Sequence, residues 1–196
     1  MPKHILFIDG IIGAGKSHLT DLIKQKYKTI TVIQEPVGLW MESGLLENFY
    51  NDPERWCFQL QEYVMETFKE ILEQYLVKND DFLIVERGHL SAFTVFSYLH
   101  MKSGLMSRED YEKMEEKYHW YHRDLCKRGY VLDHIYLDVP IETAMKRLQQ
   151  RNRLNESNKV SIEYQQRLLD RFKERCMTPY TESQIFELID CIVDYK

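Results

Sequence analysis

The 196-residue sequence is poor in the features that mark several protein classes. It has only four cysteines (Cys57, Cys126, Cys176 and Cys191), far apart and without a CxxC pair, which excludes a disulfide scaffold or a zinc ribbon. They are expected to be reduced, mostly buried thiols of an intracellular protein. There is no Pro/Gly/Ser-rich linker, low-complexity stretch or internal repeat. No apolar run is long enough to span a membrane, and Ile5–Ile8 is stopped by Asp9 before it could serve as a signal peptide. Nor is there a cationic excess. Lys and Arg number 26 against 31 Asp and Glu, giving a net charge of −5, which argues against a protein that coats nucleic acid.

What is present is a globular composition, 44% hydrophobic and 29% charged. A chain of this length buries roughly 70% of its unfolded surface, so residues 1–196 suit one domain without staples. Five short apolar runs read as buried strands: Ile5–Ile8, Ile30–Ile33, Phe82–Val85, Ile135–Leu137 and Cys191–Val193. Four of them end in or next to Asp9, Glu35, Glu86 or Asp138. Helical patterns lie between them. One covers Pro53–Leu76 with Asp52 as N-cap, another opens at the Ser107–Asp110 capping box, and a third runs from Pro140 to about Arg151. Strands alternating with helices imply an α/β fold with a parallel sheet, whose ligands sit beyond the carboxyl ends of the strands.

Gly10-Ile-Ile-Gly13-Ala14-Gly15-Lys16-Ser17 matches GxxxxGK[ST], between an apolar strand and a helix-forming segment. Its backbone N–H groups and the following helix start suit a phosphate, Lys16 meets the outer phosphates, and Ser17 offers a hydroxyl to Mg²⁺. The absence of Asn-Lys-x-Asp argues against a GTPase, and nothing reads as a transporter ATPase. Small-molecule phosphoryl transfer is favoured.

Three further constellations fit that chemistry. Glu35, in Glu35-Pro-Val-Gly-Leu-Trp40, could take a proton from a hydroxyl acceptor, although the same residue in isolation reads as a solvated loop glutamate. Glu86 could hold Mg²⁺ and Arg87 a phosphate or the acceptor oxygen. Arg147, Arg151 and Arg153 lead into a polar segment, so that residues 147–160 could form a lid that neutralises transferred charge. A solvated cationic helix end is the alternative there.

In this order the motifs resemble the deoxyribonucleoside kinase family, in particular its thymidine and multisubstrate branch. The resemblance runs from about Lys3 to about Phe172. It adds Phe49-Tyr50-Asn-Asp-Pro-Glu-Arg-Trp56, Phe58-Gln-Leu-Gln61-Glu-Tyr63, Ile135-Tyr-Leu137 and Ile162-Glu163-Tyr164 to the motifs above. It implies a P-loop NTPase-type three-layer fold with a central five-stranded parallel sheet and an arginine-bearing lid. It also implies transfer of the γ-phosphate of ATP, with Mg²⁺, to the 5′-hydroxyl of a deoxyribonucleoside by a cytoplasmic homodimer that needs no nucleic acid or membrane. By resemblance, Glu35 is the base, Arg87 and Lys16 assist it, and Ser17 and Glu86 hold the metal. Gly10, Gly13, Ala14, Gly15, Lys16, Ser17, His18, Arg151 and Arg153 bind ATP. Tyr50 and Glu163 bind the 3′-hydroxyl.

Trp40 and Gln61 resemble base-site residues, and Val64, Phe68 and Ala92 complete the expected pocket. The sequence departs from the family at Gly88, where a serine is usual, and at Phe93-Thr94, where an Arg–aromatic pair is usual. Phe68 and Ala92 stand where deoxycytidine and purine enzymes tend to carry an Arg–Asp pair, which implies thymidine as the best acceptor. A nucleoside monophosphate kinase such as thymidylate kinase, or a non-catalytic nucleotide-binding module, is the alternative. The carboxylate at Glu35 weighs against the first by repelling a phosphate acceptor.

Overall fold

The computed structural model describes residues 3–77, 82–151, 159–175 and 177–194. Its centre is a five-stranded sheet of order β2-β3-β1-β4-β5, parallel at every pairing. The strands are β1 (Lys3–Asp9), β2 (Thr31–Ile33), β3 (Phe82–Glu86), β4 (Tyr130–Leu137) and β5 (Thr178–Tyr180). Both faces of β1 are buried. Ile5 and Phe7 pack with Leu72, Leu76, Tyr121 and Leu125, while Leu6 and Ile8 pack with Leu19, Ile23, Ala144 and Phe172. This two-sided burial is why the strands read as unbroken apolar runs, and it gives the three layers expected.

The helices are α1 (Lys16–Lys26), α2 (Val37–Glu42), α3 (Leu45–Asn51), α4 (Pro53–Leu76) and α5 (His89–Ser91), followed by α6 (Tyr98–Lys102), α7 (Arg108–Lys127), α8 (Ile141–Arg151), α9 (Ile162–Glu174) and α10 (Glu182–Asp194). Asp52 caps α4 by accepting from the Arg55 N–H at 3.3 Å, and Ser107 caps α7 by accepting from the Asp110 N–H at 3.0 Å. Among the described residues, no helix is long and apolar enough to cross a membrane.

Two expectations fail. Cys191–Val193 is not a strand but the end of α10, an amphipathic helix that buries Ile185 and Ile189 one turn apart. The fifth strand is Thr178–Tyr180, an edge strand containing Pro179; an edge tolerates the missing donor, and so short a segment leaves no apolar run to read. The cysteines are also less buried than expected. Cys57 is buried, Cys126 and Cys191 are exposed, and Cys176 lies outside the described residues.

Between α5 and α6 the chain makes one π-helical turn, Ala92–Ser97. Side chains serve the carbonyls that the wider turn displaces: Ser97 Oγ donates to Ala92 O at 2.8 Å and Arg171 Nε to Thr94 O at 2.8 Å. Arg171 also lies 3.5 Å over the Tyr98 ring.

Candidate active site

The carboxyl ends of β1, β2 and β3 open into a cavity of about 620 Å³. Of the expected residues, Gly13, Gly15, Lys16, Ser17, His18, Glu35, Trp40, Tyr50, Gln61, Val64, Glu86, Arg87, Ala92 and Arg151 line it. Gly10 and Ala14 lie behind the lining and act through their carbonyls. Gly10 O accepts from Lys16 Nζ at 3.3 Å and from Arg87 Nη2 at 3.4 Å, and Ala14 O accepts from Arg147.

The loop after β1 is held from both sides. Lys16 is buried and also donates to Ile11 O at 3.4 Å. Burial, assisted by the Arg87 charge, brings its ammonium down to about 8. Gly13 has φ +85°, and a Cβ there would lie 2.5 Å from Ala144 O, so α8 leaves room only for glycine. Gln165 is fully buried. Its Oε1 accepts from the Ile12 N–H at 3.1 Å and its Nε2 donates to Ile12 O at 2.5 Å. Reading the sequence missed Gln165, because a lone glutamine so far along the chain carries no local signal.

Opposite the loop, Arg87 is the hub. Its Nε donates to Glu35 Oε1 at 2.8 Å, its Nη1 lies 4.0 Å from Asp9 Oδ1, and its guanidinium sits 4.4 Å over Phe96. Its φ of +60° is uncommon for a residue with a Cβ and turns the chain sharply out of β3. The next residue explains the missing serine. A Cβ on Gly88 would lie 2.4 Å from the Phe7 ring, which stacks on His134 at 4.5 Å. Asp9 is fully buried. Burial lifts its carboxyl to about 6 against the pull of Arg87 and Lys16.

Ser17 Oγ donates to Glu86 Oε1 at 2.7 Å, while Glu86 Oε2 accepts from the Glu35 N–H at 3.4 Å. Burial and then the Glu35 charge hold Glu86 above the ordinary carboxylate range. Glu35, Glu86, Ser17, Lys16 and Arg87 thus surround one corner of the cavity.

Two expected residues do not reach it. Phe68 is covered by the Trp40 indole, edge-on at 5.6 Å and fixed by Nε1 donating to Thr67 Oγ1 at 2.9 Å. Glu163, in the first turn of α9, is exposed and outside the cavity wall; that helix presents Tyr164 and Arg167 instead. Arg153 lies outside the described residues.

A phosphate-binding loop facing an arginine-held carboxylate across one cavity puts a triphosphate and its acceptor in reach of each other, the requirement of a P-loop phosphotransferase. The family model for deoxynucleoside kinases matches residues 6–191, and the chain belongs to that family. It is similar to protein 143R of Invertebrate iridescent virus 6 (33% identity over 172 residues, 86% of this chain and 80% of the other). It is also similar to the deoxyadenosine/deoxycytidine kinase of Bacillus subtilis strain 168 (30% over 162 residues, 78% and 68%) and to the deoxycytidine kinase of Homo sapiens (26% over 184 residues, 82% and 70%). Membership removes the monophosphate kinase and the non-catalytic module from consideration.

Proposed function

We propose that this kinase moves the γ-phosphate of ATP to the 5′-hydroxyl of a pyrimidine deoxynucleoside, with thymidine the best acceptor. The observation that carries the reaction is the Glu35–Arg87 pair facing the phosphate loop in one cavity. Arg87 orients the Glu35 carboxylate, which takes the proton of the 5′-hydroxyl as that oxygen attacks the γ-phosphorus. Lys16 and the loop N–H groups meet charge on the outer phosphates, and Arg151, with Arg153, meets charge developing on the transferred group.

The corner also suits Mg²⁺. Asp9, Glu35 and Glu86 against Lys16 and Arg87 leave a net −1 before any phosphate arrives, and Ser17 with Glu86 offers hard oxygen ligands in contact with each other. Bound there, the ion would neutralise charge on the triphosphate. Ser17 and Glu86 would hold it, directly or through water.

For the base, the walls from α4, the π-turn and α6 include Leu60, Gln61, Val64, Ala92, Phe96 and Leu99, none of them charged. Gln61 is buried, with Ser97 Oγ 3.5 Å from its Oε1, and is the polar hook for a pyrimidine edge. Ala92 leaves space for the thymine methyl. The names of the Bacillus and human relatives favour a second reading, in which cytosine or adenine is preferred. Coupled ADP-release kinetics over the four deoxynucleosides separates the two. Highest kcat/KM for thymidine supports the first, and a deoxycytidine or deoxyadenosine optimum supports the second. A cytoplasmic homodimer belongs to the same reading, and light scattering tests the dimer.

A further inference from the structure

Three polar atoms behind the Glu35–Arg87 pair have no hydrogen-bond partner among the described residues: Arg87 Nη1 and both carboxylate oxygens of Asp9. They face each other, with 4.0 Å between Nη1 and Oδ1, and both residues are buried. The rest of the guanidinium is occupied. Nε donates to Glu35 Oε1, Nη2 donates to Gly10 O, and Phe96 covers one face. The other polar groups beside Asp9 are engaged elsewhere: Lys16 Nζ donates to Gly10 O and Ile11 O, and Ser91 Oγ donates to Gly88 O at 3.3 Å. A buried carboxylate without hydrogen bonds is destabilising, and an apolar side chain at the end of β1 would avoid that cost. The position therefore makes sense if Asp9 is needed at another stage of the reaction.

The backbone ties the two residues together. The Arg87 N–H donates to Ile8 O at 2.9 Å, and Asp9 pairs with Tyr136 of β4. The space between the side chains can thus close by a small turn of either, since a charged N–H···O bond is only about 1 Å shorter than their present separation. The chemistry supplies a reason to close it. At rest Arg87 bonds the nearer carboxylate, Glu35. When Glu35 takes the proton of the 5′-hydroxyl it becomes neutral, and the buried guanidinium loses its bonded counter-charge. Glu86 is committed to Ser17 Oγ and the Glu35 N–H. Asp9, whose carboxyl at about 6 is ionised at neutral pH, is the carboxylate left facing it. We infer that Asp9 is a positioning residue, which takes over the charge of Arg87 as Glu35 becomes protonated and so keeps the guanidinium beside the reacting oxygen; this rests on the base role proposed for Glu35. One proton moves, from the 5′-hydroxyl to Glu35, and none reaches Asp9.

The test measures kcat, the KM for ATP and for the fastest of the four deoxynucleosides, and the urea midpoint, in the native protein, Asp9→Asn and Asp9→Ala. Both variants should lower kcat by roughly 10- to 100-fold and leave each KM within about threefold. Their urea midpoints should hold or rise, because a buried charge has been removed. Made in Arg87→Met and in Arg87→Lys, Asp9→Asn should cost less than about threefold in kcat, since no guanidinium is left to hold. Two variants and two backgrounds are used so that poor folding of one leaves the other to report. Asp9 variants that keep more than about half of native kcat, a loss confined to KM, or the same loss with and without Arg87 would each overturn the inference. A native protein that phosphorylates none of the four deoxynucleosides, or a Glu35→Gln variant with native kcat, would sink the reading beneath it instead, whatever the Asp9 variants do.

Discussion

The two ends of the cavity are built by different means. The phosphate end is made of backbone, held by the loop's own Lys16 on Gly10 and Ile11 and locked by bonds from distant elements: Arg147 onto Ala14 and Gln165 onto both polar groups of Ile12. The end proposed for the nucleoside is made of side chains: Trp40 hung from Thr67, Phe96 under Arg87, and Ala92 at the start of the π-turn. Backbone geometry binds what every triphosphate shares. Side chains can be exchanged one at a time, so selectivity resides at the second end, and the two should respond differently to substitution.

The largest effect is expected where the ends meet. Glu35→Gln should lower kcat by on the order of 10²–10⁴ and leave nucleoside affinity within a few-fold. A variant retaining half of native kcat would remove the base from the mechanism. Lys16→Ala should cost roughly 10²–10³ in kcat/KM for ATP. If deoxynucleoside binding measured by calorimetry falls equally, the ends are not separable.

A third expectation concerns the layer behind both ends. His89 and His134 flank the Phe7 ring, near His122, and burial holds each of the first two at about 3. Unfolded histidine takes up a proton near 6.5, while these two stay neutral in the folded chain until pH nears 3. Their stability contribution is therefore complete above pH 6.5 and is lost as pH falls from there toward 3. For the pair, about 2 kcal/mol should go over the first pH unit. Urea midpoints against pH will show this, and His89→Phe should flatten the slope.

Ala92→Asp should reduce thymidine kcat/KM by roughly tenfold and deoxycytidine less, since it crowds the methyl and sets acceptor against acceptor. Equal losses would mean that the base is not where Ala92 is. The smallest effect is expected from Gln165→Leu, which strands both polar groups of Ile12: about 1 kcal/mol in stability, with a raised KM for ATP and no change in the ranking of nucleosides.

What the sequence revealed follows the same division. The phosphate loop, the Asp52 and Ser107 caps and four of the five strands are local patterns, written in consecutive residues. Gln165 is not, because its meaning depends on meeting Ile12 across 153 positions. The π-turn has no composition of its own. Phe68 shares a helix flank with Gln61 and Val64 as its spacing requires, and only the placement of Trp40 takes it out of the cavity. Glu163 fits the order of the motifs but sits on the wrong side of α9.

The tight fit between Gly13 and Ala144 has a consequence for engineering. The glycine-rich octapeptide is not a portable cassette. Its floor is a helix encoded more than a hundred residues downstream, and the splint that fixes Ile12 comes from the helix after that. Grafting the octapeptide onto a foreign strand would transfer the letters of the motif without its mould. A working transplant would have to bring α8 and α9 along, which amounts to moving one half of the enzyme.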